Sequence, residues 1–119
     1  MSILSTVTTA LRPGITEERL GLVVGEAKSV IVTVLGAGGQ PLSLDGLVDA
    51  ASTLNAADGS AITTPAVAVV DSDYGQLSVR ITTTATATAR TNARLTIALN
   101  FGATRDEVCQ PIPVEIVAR

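Results

Sequence analysis

Gln76-Leu-Ser-Val-Arg-Ile81 and Ala93-Arg-Leu-Thr-Ile-Ala-Leu-Asn-Phe101 decide the fold class. In the first, Leu77, Val79 and Ile81 alternate with Ser78 and Arg80; in the second, Leu95, Ile97, Leu99 and Phe101 fall on one side. A period of two sends successive side chains to opposite faces of an extended chain, so both read as half-buried antiparallel strands. The Thr- and Ala-rich stretch between them, Thr82 to Asn92, reads as a long connection crossing from one sheet to the other.

Upstream, Leu20-Gly-Leu-Val-Val24 and Lys28-Ser-Val-Ile-Val-Thr-Val-Leu35 are rich in β-branched residues and read as strands. Val30, Val32 and Val34 share one face, with Ile31 and Leu35 on the other, which predicts a strand that is central or covered on part of both sides. Gly36-Ala-Gly-Gly-Gln-Pro41 is a turn by composition, and Asp58-Gly59 is a tight-turn signal after a weaker strand at Ala50 to Asn55. One strand is expected from Ser60 to Val70, with Pro65 placing it at an edge or a bulge. Asp71-Ser-Asp-Tyr-Gly75 closes it as a turn. In the last segment, Arg105 to Arg119, Ile112, Val114 and Ile116 alternate on the face opposite Pro111 and Pro113, which predicts an edge strand.

Six to seven short strands between turn signals, with no long helix, predict an all-β fold, an antiparallel β-sandwich of immunoglobulin-like type. A barrel is the structural alternative. Residues 1–19 lack a sustained period and carry Arg12-Pro-Gly14 and Thr16-Glu-Glu-Arg19; they are expected to form an extended N-terminal arm ahead of a sandwich domain at 20–119. A short helical turn at Thr16 to Leu20 would be capped by Thr16.

With 119 residues, the chain has the size of one domain. Its composition, 46% hydrophobic with one Phe, one Tyr and no Trp, requires an aliphatic core and is too apolar for intrinsic disorder. A net charge of -3 argues against binding nucleic acid, which needs a basic stripe. Arg80, Arg90, Arg94 and Arg105 form such a stripe only if the fold puts them on one face. No run approaches the roughly 20 apolar residues of a membrane span, and the first ten residues lack the pattern of a signal peptide, so synthesis in a cytoplasm is expected.

The chain has no histidine and one cysteine, Cys109. This removes His-based triads, His general bases and Cys- or His-rich metal sites, so no enzyme activity, no catalytic residue, no metal and no cofactor are expected. Cys109 reads as a buried thiol. Gly36-Ala-Gly-Gly39 lacks the Gly-Lys-Ser/Thr sequence of a phosphate loop, and Asp71-Ser-Asp73 lacks the further ligands of a calcium loop. Asp106 and Glu107 are adjacent on a strand and point apart, which prevents them from acting as a carboxylate pair.

The order of features from Lys28 to Val117 includes Gly39-Gln-Pro-Leu-Ser-Leu-Asp-Gly46, Asp58-Gly-Ser60 and Asp73-Tyr-Gly-Gln-Leu-Ser-Val-Arg-Ile-Thr82, then a Thr-rich connector and two closing strands. This resembles the small immunoglobulin-like domains of tailed-phage virions, such as the N-terminal domains of baseplate upper proteins. It departs from them in having no aromatic residue in the penultimate strand before Phe101.

The resemblance implies a virion structural protein that binds capsid or tail proteins of the same particle and forms homo-oligomers. On a chain of this length it points first to a capsid decoration or cement protein, with a tail or baseplate accessory protein as the alternative. Ile3, Leu4, Val7 and Leu11 are the arm residues expected to become buried on assembly. A carbohydrate- or cell-surface-binding module is the reading from another class, with Tyr74 as its single candidate for stacking on a sugar.

Overall fold

The computed structural model describes residues 5–10, 19–36, 38–102, 106–109 and 111–118. They form ten strands: β1 (Ser5–Ala10), β2 (Leu20–Val23), β3 (Lys28–Leu35), β4 (Asp49–Asn55), β5 (Ala61–Thr63), β6 (Ala66–Asp71), β7 (Gln76–Ile81), β8 (Arg90–Asn100), β9 (Asp106–Val108) and β10 (Ile112–Val117). One sheet has the order β1-β3-β7-β6; the other runs β2-β10-β8-β4-β5, with β9 also on β8. The expected immunoglobulin-like sandwich forms, with more than the six to seven strands read from the sequence.

The alternating faces build the core. Val30, Val32 and Val34 of β3 and Leu77, Val79 and Ile81 of β7 point inward from the four-stranded sheet. They meet Leu54 of β4, Ala93, Leu95, Ile97 and Leu99 of β8, and Ile112, Val114 and Ile116 of β10. Leu20 and Leu22 of β2 close one side. Burying aliphatic side chains of this size contributes about 1.5–3 kcal/mol each before the entropy cost of folding. β3 is central as expected, with Ile31 and Leu35 half-buried on its outer side.

Two pairings are parallel: β1 lies along β3 with Ser5 opposite Val30, and β2 lies along β10 with Leu20 opposite Val114. Local alternation carries no information about strand direction, so neither was legible beforehand. Residues 5–10 of the expected arm therefore include a strand. Leu20, the end of the expected helical turn, opens β2; Thr16 to Glu18 lie outside the described residues.

The segment read as one strand from Ser60 to Val70 is two. β5 belongs to the six-stranded sheet and β6 to the other, and Pro65 sits where the chain changes sheet. The buried Ser52 hydroxyl holds this crossover by donating to the Pro65 carbonyl at 2.9 Å.

The closing segment also departs from expectation. β10 is an interior strand, between β8 and β2. Its prolines survive because β2 pairs only from Val114 onward, beyond both of them. β9 and β10 share one side of β8, since β4 occupies the other from Arg94 to Asn100. The amide of Cys109, between β9 and β10, still donates to the Ile97 carbonyl at 2.9 Å.

The connection after β7 crosses between sheets, as its composition suggested. Thr86 is fully buried in it, and Ala85 nearly so.

Candidate functional site

The turns are built from the residues that announced them. Asp71 Oδ1 accepts from the amides of Asp73 (3.1 Å) and Tyr74 (3.3 Å), the bonds of a turn held by its own first side chain. Asp58 Oδ1 accepts from the Ser60 hydroxyl at 2.6 Å and the Ser60 amide at 2.9 Å. These bonds, the hydroxyl first, hold the Asp58 carboxyl below the usual carboxylate range. The Gly36 amide donates to the Gln40 carbonyl and the Gly39 amide to the Gly36 carbonyl, so the glycine run closes on itself as a turn.

Among the described residues, no cluster of three or more carboxylate or thiol groups is placed to hold a metal. Cys109 is buried as expected, and burial, reinforced by the charge of Glu107, pushes its thiol up to about 12. A thiol so protonated is a poor nucleophile. The four arginines do not form a stripe: Arg80 projects from the outer face of the four-stranded sheet and Arg94 from the outer face of the other, with the core between them. Arg90 is half-buried and Arg105 lies outside the described residues.

What the molecule offers is surface. On the outer face of the six-stranded sheet, Ala51, Ala98 and Val108 stand in one row across β4, β8 and β9. They floor a shallow groove of about 330 Å³, with Asp49, Asn100 and Glu107 around it. A second depression, about 230 Å³, lies beside Arg19, Asn92 and Glu115. There β8 bulges between its pairings with Val114 and Ile116, and Asn92 takes φ 60°, a conformation that asparagine tolerates.

Tyr74 is exposed at the tip of the β6–β7 turn. The other aromatic ring of the chain, Phe101, is buried, so Tyr74 has no second ring with which to form a sugar-binding platform. Of the expected assembly residues, Ile3, Leu4 and Leu11 lie outside the described residues. Val7 is in β1, its backbone in register with Val32. The edge position expected of the Ser60 to Val70 segment holds for both of its strands, β5 and β6; that β6 is a separate strand on the other sheet was not legible, because sheet membership leaves no mark on a strand's composition.

No protein-family model matches this chain, and no curated protein matches it. Among solved structures it is similar to the N-terminal domain of phage TP901-1 ORF48, with a TM-score of 0.67, 15% sequence identity and 98% of each chain covered. A weaker likeness is to the Ig1 domain of mouse SynCAM 2, with a TM-score of 0.41 and 8% identity over 86% of this chain and 93% of that one. At such identities the likeness to the phage domain is one of fold.

Proposed function

We propose that this chain is a structural domain of a tailed-phage virion, acting at the tail or baseplate by binding other proteins of the particle. The observation that carries the reading is the match over 98% of both chains to a phage protein's N-terminal domain. It accords with the sequence resemblance to baseplate upper proteins. Nothing in it is specific to a capsid, so the tail or baseplate role stands ahead of the decoration role expected from the sequence.

The role is mechanical: a stiff sandwich presents surfaces and strand edges to neighbours, and symmetry multiplies weak contacts into stable attachment. In this reading Ile3, Leu4, Val7 and Leu11 make the contact to a neighbouring subunit. The absence of histidine fits a domain that binds and does not catalyse.

Gold-labelled antibody raised against the purified domain, applied to virions of the phage that encodes it, tests the assignment. Label at the tail tip is the expected result. Label over the head restores the decoration role, and virions without label or peptide of this chain overturn the reading. For the arm, the double change Ile3→Ser and Leu4→Ser is preferable to truncation, because removing residues 1–19 also removes β1.

A further inference from the structure

Among the described residues, five strands pair on one side only, β1, β2, β5, β6 and the three-residue β9, and they are not equally protected. β5 has three residues and β2 four, too short to recruit a long partner strand. β1 and β6 have six each. β6, Ala66-Val-Ala-Val-Val-Asp71, carries no charge before its last residue. Natural edges of this length usually carry a lysine or an inward charge to prevent pairing.

Three of the seven large hydrophobic side chains exposed among the described residues lie here. Val69 is 49% exposed, Val70 53% and, in the turn that follows, Tyr74 61%. Ala66 and Ala68 are exposed beside them, on the face opposite the half-buried Val67. Pairing with β7 covers only one side of β6, and its register shifts between Val69 and Asp71, which leaves Ala66 to Val69 as the regular stretch.

We propose that β6 is a self-association edge at which two copies of this chain pair antiparallel, joining their four-stranded sheets into one continuous sheet. The occupant follows from the self-complementarity of the strand. An antiparallel pairing centred on Ala68 sets Ala68 against Ala68 of the second copy, and Val67 against its Val69. Alanines then meet on the outer face and valines on the core side, and no like charges oppose each other. The proposal is independent of the phage reading, because it rests on the edge alone.

Covalent capture tests it. Residues opposite each other across an antiparallel pair lie about 4.5–5.5 Å apart at Cα, within the roughly 4.4–6.8 Å that a disulfide spans. Ala68→Cys is therefore expected to cross-link into a dimer under mild oxidation, while Ala51→Cys, on the outer face of the other sheet, stays monomeric. The native Cys109 is buried and does not compete.

Light scattering on the unmodified chain is expected to show dimer at high concentration, and Ala68→Lys to weaken it by at least about tenfold by opposing two ammonium groups. A thermal melt of Ala68→Lys that matches the parent's monomer shows that the loss is not unfolding. A parent chain that is monomeric throughout, an Ala68→Cys variant that cross-links no faster than Ala51→Cys, or a dimer indifferent to Ala68→Lys overturns the proposal. A parent monomer would leave the edge to a strand from a different protein.

Discussion

The hydroxyl of Thr86 donates to the carbonyl of Glu26 at 2.6 Å, tying the sheet-crossing connection to the β2–β3 turn sixty positions earlier in the chain. The Gly25 amide donates back to the Thr86 carbonyl at 2.9 Å, so the two segments are clasped from both sides. The same turn is braced by Glu26, whose Oε1 accepts from the Val23 amide at 3.1 Å and whose Oε2 lies 3.4 Å from Lys28 Nζ.

Thr86→Val keeps the shape of this side chain but removes the donor to the Glu26 carbonyl. The expected loss is about 1–3 kcal/mol, read as a lower urea midpoint with an unchanged slope. Thr84→Val, at an exposed position in the same connection, is expected to change stability by less than about 0.5 kcal/mol.

Gly75 is required on two counts. It has φ 66°, and a Cβ there would stand 2.6 Å from the Leu42 carbonyl oxygen and 2.7 Å from that of Val34. Both are backbone atoms that cannot swing away, and the Gly75 carbonyl already accepts from the Val34 amide. Gly75→Ala is expected to cost more than about 3 kcal/mol, clash adding to the left-handed penalty. Gly59→Ala, with φ 90° but open space around it, should cost about 1–2 kcal/mol. Denaturation of the two variants side by side separates steric from conformational cost.

Leu95 is fully buried at the centre of β8. Leu95→Ala is expected to lose about 2–5 kcal/mol, while Ala98→Ser, three positions along on the exposed face, should be nearly silent. Equal losses would contradict the assigned faces of β8.

Cys109 gives a pH dependence with a definite sign. Its folded thiol is raised from an ordinary value of 9.0 to about 12, so the folded state holds a proton that the unfolded state releases. The stabilisation is complete below pH 9 and is lost as pH rises toward 12. Cys109→Ala should flatten that part of the stability profile, although it lowers stability overall by leaving a small cavity. The native thiol should react with Ellman's reagent at pH 8 only on unfolding.

The amino-acid sequence by itself determined the class of fold, the aliphatic core and the absence of histidine chemistry. Those follow from composition and from a two-residue period that any solvent-facing sheet imposes: Leu77, Val79 and Ile81, or Leu95, Ile97 and Leu99, have one buried side in whatever sandwich they join. Tertiary structure alone decided which strands are neighbours. The side-chain pattern of β10 is the same at an edge or in an interior, and only the parallel approach of β2 beyond Pro113 made it interior. Pro65 marked a break, but sheet membership of the residues on either side depended on partners far away in the chain. The same holds for Arg80 and Arg94, both outward-facing in their own strands and separated by the core, and for β6, whose exposure as an edge comes from having β7 on one side and no strand of the described residues paired on the other. Alternation is a property of one strand and its solvent, whereas neighbourhood is set by long-range hydrogen bonding that no local window contains.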